Sequence, residues 1–241
     1  MKNKNVNIYC RFLKYSPFAV SRKGGAMTIK HTLKNGKEII ATSAEHVTTE
    51  DAEKLYSLYY IAQKKRSYKI ITTEKFGKMA EITAFIWDIR KLTNCNDDDY
   101  IYNALVRITG IKISYNFPKH KSTTHIIHKV NFDTETGEIN VLMDMNIFRN
   151  FVNESLTINI KKYNSLPPVA KNLYGFIATN PANVFKEDTL IERAVIKAKR
   201  NNKAQGILKR ALTELKNNYI IQKFKIEKKD GQRLINIERE S

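Results

Sequence analysis

The run from Asn201 to Lys216 constrains the fold most, because its apolar residues recur at helical spacing. The apolar positions are Ala204, Ile207, Leu208, Ala211, Leu212 and Leu215. The opposite side of this predicted helix carries Lys203, Gln205, Gly206, Lys209, Arg210 and Thr213. Burial of the apolar stripe leaves the polar side facing outward, where it can hydrogen-bond phosphates and base edges in a DNA major groove.

A two-stranded hairpin is predicted directly after this helix. Tyr219-Ile220-Ile221 opens the first strand, and Leu234, Ile235 and Ile237 mark the second. Between them, Lys228-Lys229-Asp230-Gly231 contains the Asp-Gly pair that is typical of a tight hairpin turn. We therefore expect Lys228, Lys229 and Arg233 at the hairpin tip, where they can straddle a phosphate backbone.

Two shorter helices are predicted upstream of the basic helix. The first starts at Leu166-Pro167-Pro168, with proline in its permitted first turn and an apolar face that includes Leu173, Phe176 and Ile177. The second runs from Asp188 to Ala194, after the short apolar segment Val184-Phe185. From Leu156 onward, 18 Lys and Arg face 8 Asp and Glu, a net charge of +10. Helix, helix, basic helix and hairpin is the order of a winged-helix DNA-binding domain. Asn202 is also expected to contact DNA.

The whole chain of 241 residues has a net charge of +18, which favours a polyanionic partner. Its two cysteines, Cys10 and Cys95, indicate neither a disulfide framework nor a zinc site, so a reducing cytoplasm is expected. The N-terminus is polar and no apolar run is long enough to span a membrane. Nucleotide-binding loops, nucleophile elbows and zinc-protease motifs are absent. We expect no cofactor, no metal and no enzymatic activity.

The first half has a similar predicted order. Residues 1–45 are expected to form a basic arm, with Arg11, Lys14, Arg22 and Lys23, and a hairpin that turns at Lys34-Asn35-Gly36-Lys37. In residues 46–155, a capped helix begins at Thr48 or Thr49 and ends at Lys64-Lys65-Arg66. A linking segment with Ile70 and Ile71 leads to a second helix, with apolar positions at Ile82, Phe85, Ile86, Ile89 and Leu92, and Trp87 as a packing residue. A third helix starts at Asp97-Asp98-Asp99 and buries Ile101, Leu105 and Ile108.

Three period-two runs follow the third helix, ending near Phe117, Phe132 and Met145. Three helices followed by a sheet predict a first winged-helix domain over residues 46–155, with the second over residues 156–241. Asn103, Arg107, Lys112, Lys119 and Lys121 are the candidate phosphate contacts of the first domain. The three aspartates are interpreted as helix caps and not as metal ligands, and they make this domain the poorer DNA reader.

The chain resembles plasmid replication initiators built from two tandem winged helices, which bind direct repeats called iterons. The resemblance covers roughly residues 18–239 and is strongest from Leu166 to Tyr174 and from the basic helix to Ile221. It implies an α+β protein that binds double-stranded DNA at origin repeats, promotes origin opening, and recruits the host replication initiator and replicative helicase. It also implies a homodimer in a repressive form, and DNA reading by Asn202, Lys203, Gln205, Lys209 and Arg210.

The sequence also raises three alternative functions. A rolling-circle nicking enzyme would use Tyr56 or Tyr60 and a metal-binding histidine pair, but the spacing of His125 and His128 predicts rings on opposite strand faces. A winged-helix transcriptional repressor that binds a promoter operator fits the same DNA-binding surface. A non-specific architectural or RNA-binding protein needs only the basic charge.

Overall fold

The computed structural model describes residues 5–9, 16–19, 25–32, 37–117, 120–153, 155–198 and 200–239. The fold is mixed α+β, and the chain divides into two compact units. Unit 1 comprises Met1–Tyr9 and Pro17–Asn164, and unit 2 comprises Cys10–Ser16 and Ser165–Ser241. The four basic residues predicted in the arm lie outside the described residues, as do positions 34–36 of the predicted first turn.

The other helices of unit 1 surround one buried helix, α1. The helices are α1 (Thr49–Lys65), α2 (Ile86–Thr93), α3 (Asp98–Thr109), α4 (Met145–Asn153) and α5 (Ile160–Ser165). Helix α1 is buried on most sides, and Leu55, Tyr56 and Tyr59 are among the largest fully buried side chains described. It packs against α2 and α3 as well as against strands. Because α1 is buried on most of its sides, and not along one stripe only, it lies in the core of unit 1.

The predicted start and end of α1 are confirmed. The Asp51 carboxylate accepts hydrogen bonds from the backbone N–H of Thr48 at 2.8 Å and from its hydroxyl at 3.1 Å. These bonds fix the chain at the helix entry. At the other end, Arg66 adopts a left-handed conformation with φ of 51° and terminates the helix.

The strands of unit 1 form three antiparallel sheets. The strands are β1 (Asn5–Tyr9), β2 (Met27–Thr32), β3 (Glu38–Ser43), β4 (Tyr68–Thr73), β5 (Gly77–Phe85), β6 (Lys112–Phe117), β7 (His120–His125), β8 (Ile127–Phe132), β9 (Glu138–Asp144) and β10 (Ser155–Asn159). Their orders are β1-β10, β2-β3-β6-β7 and β4-β5-β9-β8. The β2-β3 pair therefore belongs to the four-stranded sheet β2-β3-β6-β7, and β10 pairs with β1.

Part of the predicted second helix is wrong. Ile82 and Phe85 belong to β5, and helix α2 begins only at Ile86. The spacing of Ile82, Phe85 and Ile86 fits a helix, but β5 is hydrogen-bonded to β4 on one side and β9 on the other. Pairing with two distant strands overrides the local pattern. The segment expected to be a linker is strand β4, so strands interrupt the predicted run of three helices.

Unit 2 has the order predicted for it. Its elements are α6 (Pro168–Ala178), β11 (Val184–Lys186), α7 (Glu187–Arg193), α8 (Asn201–Asn217), β12 (Ile221–Lys229) and β13 (Gln232–Arg239). The strands form one sheet in the order β11-β13-β12. Helix α6 packs against α8, and both contribute to a single core with the inner sides of the strands. The buried side chains of that core include Leu173, Phe176, Leu190, Leu208, Leu212, Leu215, Ile235 and Ile237.

The contact between Gly137 and Trp87 provides a test of packing in unit 1. Gly137 has φ of +69°, and a Cβ added there would lie 2.8 Å from Cζ3 of Trp87, which stacks on Phe85. We expect Gly137→Ala to lower the free energy of unfolding by about 1–2 kcal/mol through the left-handed backbone and by about 1–3 kcal/mol more through overpacking. Urea denaturation followed by fluorescence of Trp87, the single tryptophan, measures the loss.

Gly77 supplies the control, because it has the same φ of +69° and nothing within 4 Å of an added Cβ. Gly77→Ala should show the backbone effect alone. Equal losses in the two variants would contradict the Trp87 contact.

Candidate nucleic-acid interface

Helix α8 separates its residues into a buried side and a cationic side. Ala204, Leu208, Ala211, Leu212 and Leu215 are buried in the core of unit 2. Lys203, Lys209 and Arg210 are exposed. Within the part of the chain that the structure describes, the side chains of these three residues form no ion pair. Their charges are therefore not neutralised by the fold and can attract an anionic partner.

Most of the predicted contacts in unit 2 lie at its surface. The exposed ones are Asn202, Lys203, Lys209, Arg210 and Thr213 on α8, and Lys228, Lys229 and Arg233 on the hairpin. Gln205 is half-buried. The Thr213 hydroxyl donates a hydrogen bond to the Lys209 carbonyl at 3.0 Å, which leaves its oxygen as an acceptor.

The hairpin tip brings three cations together. Asp230 and Gly231 both have positive φ, 50° and 75°, which is the backbone geometry of the tight turn predicted from this pair. The antiparallel register places Lys228 opposite Arg233, and Lys229 is the last residue of β12. The predicted cluster of positive charge at the tip is thus present.

Lysines nearer the start of β12 are paired with acids. The Lys223 ammonium lies 3.5 Å from Glu238, and the Lys225 ammonium lies 2.8 Å from Glu227. The hydrogen bond between Lys225 and Glu227 lowers the pKa of the carboxyl and raises the pKa of the ammonium. The unneutralised positive charge of this strand is therefore concentrated toward the tip.

A buried carboxylate links α8 to the hairpin. Glu187, the first residue of α7, is 4% exposed. Its Oε2 accepts a hydrogen bond from Nε2 of Gln205 at 2.9 Å and another from Nε of Arg233 at 2.8 Å. These residues line a cleft of about 290 Å³ together with Asn201 and Gly231. The sequence pattern predicted that Gln205 and Arg233 are free surface groups. Both are instead hydrogen-bonded to Glu187.

Glu187 is the residue of this region that the sequence reasoning missed. An acid in the first turn of a helix is normally explained by its favourable interaction with the helix dipole, and that interaction needs no partner side chain. The sequence carries little signal for this contact. Gln205 and Arg233 are polar residues among apolar ones, and their positions in the sequence do not indicate residue 187 as a shared partner.

The predicted contacts of unit 1 are dispersed. Asn103 is exposed on α3, and Lys112 and Lys121 are exposed on β6 and β7. Lys119 lies outside the described residues. Arg107 is directed inward: its Nη2 donates to Oδ1 of the fully buried Asp51 at 2.7 Å. The structure therefore assigns Arg107 to a buried ion pair and not to the phosphate contact that was expected.

The prediction that His125 and His128 face opposite sides is wrong. Their ring centroids lie 5.5 Å apart. Strict alternation applies only within one strand, but β7 ends at His125 and β8 begins at Ile127. Nδ1 of His125 lies 2.9 Å from the Thr109 carbonyl oxygen, and Nε2 of His128 is buried with no hydrogen-bond partner among the described residues. Burial, reinforced by the nearby His125, lowers the pKa of His128, although Asp144 opposes the shift.

The described residues contain no group of three or more His, Cys, Asp or Glu side chains that could hold a metal ion. At the start of α3, Asp97 caps the helix as predicted, because it accepts a hydrogen bond from the Tyr100 N–H at 2.9 Å. Asp98 instead pairs with Arg90. Burial raises the pKa of Tyr56 far above its ordinary value. A buried, neutral Tyr56 is a poor nucleophile for DNA nicking.

In the described part of the chain, none of the helices combines the length and apolarity needed to cross a membrane. No protein-family model matches the chain, and no curated protein matches it either.

The inward position of Arg107 leads to a stability prediction. Arg107→Ala leaves the buried Asp51 carboxylate without its cation, so we expect the free energy of unfolding to fall by about 3 kcal/mol. Arg90→Ala, which breaks the more exposed pair with Asp98, should lose clearly less than Arg107→Ala, because water screens this pair. Urea denaturation measures both. Similar small losses in the two variants would show that Arg107 is not a buried structural cation.

The histidine pair predicts weaker folding at acid pH. Because the folded-state pKa of His128 is lowered, the unfolded chain takes up the proton first as the pH falls below about 6.5. The contribution of His128 is thus fully present above that pH and is lost below it. His128→Leu should flatten the fall in stability between pH 7.5 and pH 5, as followed by Trp87 fluorescence in urea. An unchanged pH profile in this variant would refute the assignment.

Proposed function

We propose that this chain is a sequence-specific double-stranded DNA-binding protein, and that unit 2 is a winged-helix domain in which α8 enters the major groove. The observation that carries the proposal is the exposed cationic side of α8, with Lys203, Lys209 and Arg210, on the same compact unit as the cationic hairpin tip. An amphipathic helix of this kind offers donors to phosphates and base edges, and a lysine-rich tip suits a phosphate backbone.

The element order of unit 2 supports this proposal. Helix α6, strand β11, helices α7 and α8, and the β12-β13 hairpin follow one another as in a winged helix. The cleft between α7, α8 and the hairpin tip makes the helix and the hairpin neighbours. One duplex can then contact both, with α8 in the groove and the hairpin on an adjacent backbone.

We further propose that the chain initiates plasmid replication by binding repeated origin sites. The support is the resemblance to tandem winged-helix initiators, together with the high positive charge of both halves of the sequence. In this proposal unit 1 is the first winged helix, with additional strands between and after its helices, and it contributes a second DNA contact or a dimer contact. The host replication initiator and the replicative helicase are the proposed protein partners.

The proposal is tested by titrating the full chain against DNA from both sides of its own gene, with random DNA as competitor, followed by a nuclease footprint. Several regularly spaced protected repeats beside an A·T-rich tract are expected of an initiator. One protected inverted repeat over the promoter would replace this function with that of a repressor. Equal binding to random DNA would refute sequence-specific recognition.

Arg210 and Lys229 are predicted to differ in role. Arg210→Ala should reduce discrimination at one base position by about 1–3 kcal/mol, because a planar guanidinium can pair with guanine. Competition with duplexes that carry single base changes measures this loss. If Arg210→Ala weakened specific and random DNA by the same factor, Arg210 would not read bases.

Lys229→Ala should instead weaken all duplexes alike and reduce the slope of log affinity against log salt by about one unit. Lys223→Ala is the matched control, because that exposed lysine lies on the same strand but is paired with Glu238. An equal change of slope in the two variants would contradict a special role for the hairpin tip.

A further inference from the structure

The carboxylate of Glu187 holds two predicted DNA-contacting side chains at once. One, Gln205, lies on α8, and the other, Arg233, lies on β13 next to the hairpin turn. Both donate to the same oxygen, Oε2, at 2.9 and 2.8 Å. The bridge therefore crosses between the two elements that the proposed function places on DNA.

The burial of the three side chains differs in a way that matters for recognition. The side chain of Glu187 is 5% exposed, whereas that of Arg233 is 42% exposed. Gln205 is intermediate and lies in the first two turns of α8. A buried carboxylate requires hydrogen-bond donors. If Gln205 or Arg233 moved away, the carboxylate would stay buried with a donor missing, and the free-energy cost of that state holds both side chains in place.

Neither partner is used up by the bridge. The Gln205 amide retains its oxygen as an acceptor and a second N–H as a donor. Among the described residues, the Arg233 guanidinium donates only through its Nε–H, and the N–H groups of both terminal nitrogens remain for a ligand. A glutamine whose amide is fixed can present both groups to the edge of an adenine, and a fixed arginine can present its fork to a phosphate.

We propose that Glu187 is a positioning residue that sets sequence discrimination, because it orients Gln205 toward base edges and holds the hairpin against α8 through Arg233. This inference rests on the proposed function. Glu187 does not contact DNA itself, since its carboxylate is buried and negatively charged. It acts by removing the freedom of the reading side chain before DNA binds, which reduces the entropy lost on binding the correct sequence.

The test compares two duplexes, one enriched from a random-sequence library by the wild-type full chain and one of random sequence. E187Q removes the negative charge but retains the shape of the side chain. Discrimination between the duplexes should fall about fivefold or more, while the midpoint of urea denaturation stays close to wild type. E192Q is the control, because Glu192 lies on the same helix but is exposed, and it should leave discrimination unchanged.

A double-mutant cycle identifies the route of the effect. If Glu187 acts through Gln205, then Q205A alone should lower discrimination, and E187Q should add little to it in the Q205A background. Should E187Q fail to fold, Glu187→Asp takes its place, because it retains the charge while shortening the reach to Gln205 and Arg233.

The outcomes separate the inference from the function on which it rests. If the wild type enriches no sequence from the library, the proposed function fails and the inference falls with it. If the wild type enriches a sequence but E187Q discriminates as well as wild type, or weakens both duplexes by the same factor, only the role of Glu187 is overturned. Independent, additive effects of E187Q and Q205A would overturn it too.

Discussion

Burial of one side of α8 is the constraint on which the rest of unit 2 depends. Leu208, Leu212 and Leu215 lie in the core with side chains from α6, α7 and the inner sides of the strands. At roughly 1.5–3 kcal/mol for each fully buried large apolar side chain, a rotation of the helix that exposed these leucines to water would be strongly unfavourable. This packing orients the helix, and it therefore turns Lys203, Lys209 and Arg210 toward solvent. No contact made by these three side chains is needed for that orientation.

The cations of the chain fall into two groups with different physical roles. Arg107 pairs with a buried acid of unit 1, and Lys223 and Lys225 pair with acids of the hairpin. Lys209 and Arg210 instead lie on a surface and have no acidic partner in the part of the chain that the structure describes. Cations that are not neutralised by acids attract DNA, so the net charge of the sequence overstates the number of cations that can bind DNA. The positions of the cations that are not neutralised indicate the proposed interface.

Features with local causes could be predicted from the sequence, and features with long-range causes could not. The stripe of α8 and the Asp230-Gly231 turn depend on neighbouring residues, and both were predicted correctly. The helical interpretation of Ile82 failed because pairing of β5 with β4 and β9 determines its conformation. The inward position of Arg107 depends on a partner 56 residues away, and the Glu187 bridge to Arg233 spans 46 residues. No spacing rule connects such positions.

Lysine labelling tests most directly whether α8 and the hairpin tip form the proposed DNA-binding surface. The full chain is treated with an amine-reactive reagent with and without saturating duplex, and labelled lysines are identified by mass spectrometry. Lys203, Lys209, Lys228 and Lys229 should be protected by DNA, whereas Lys223 should be labelled equally in both states. Unchanged labelling of the α8 and tip lysines on the saturated complex would contradict the account.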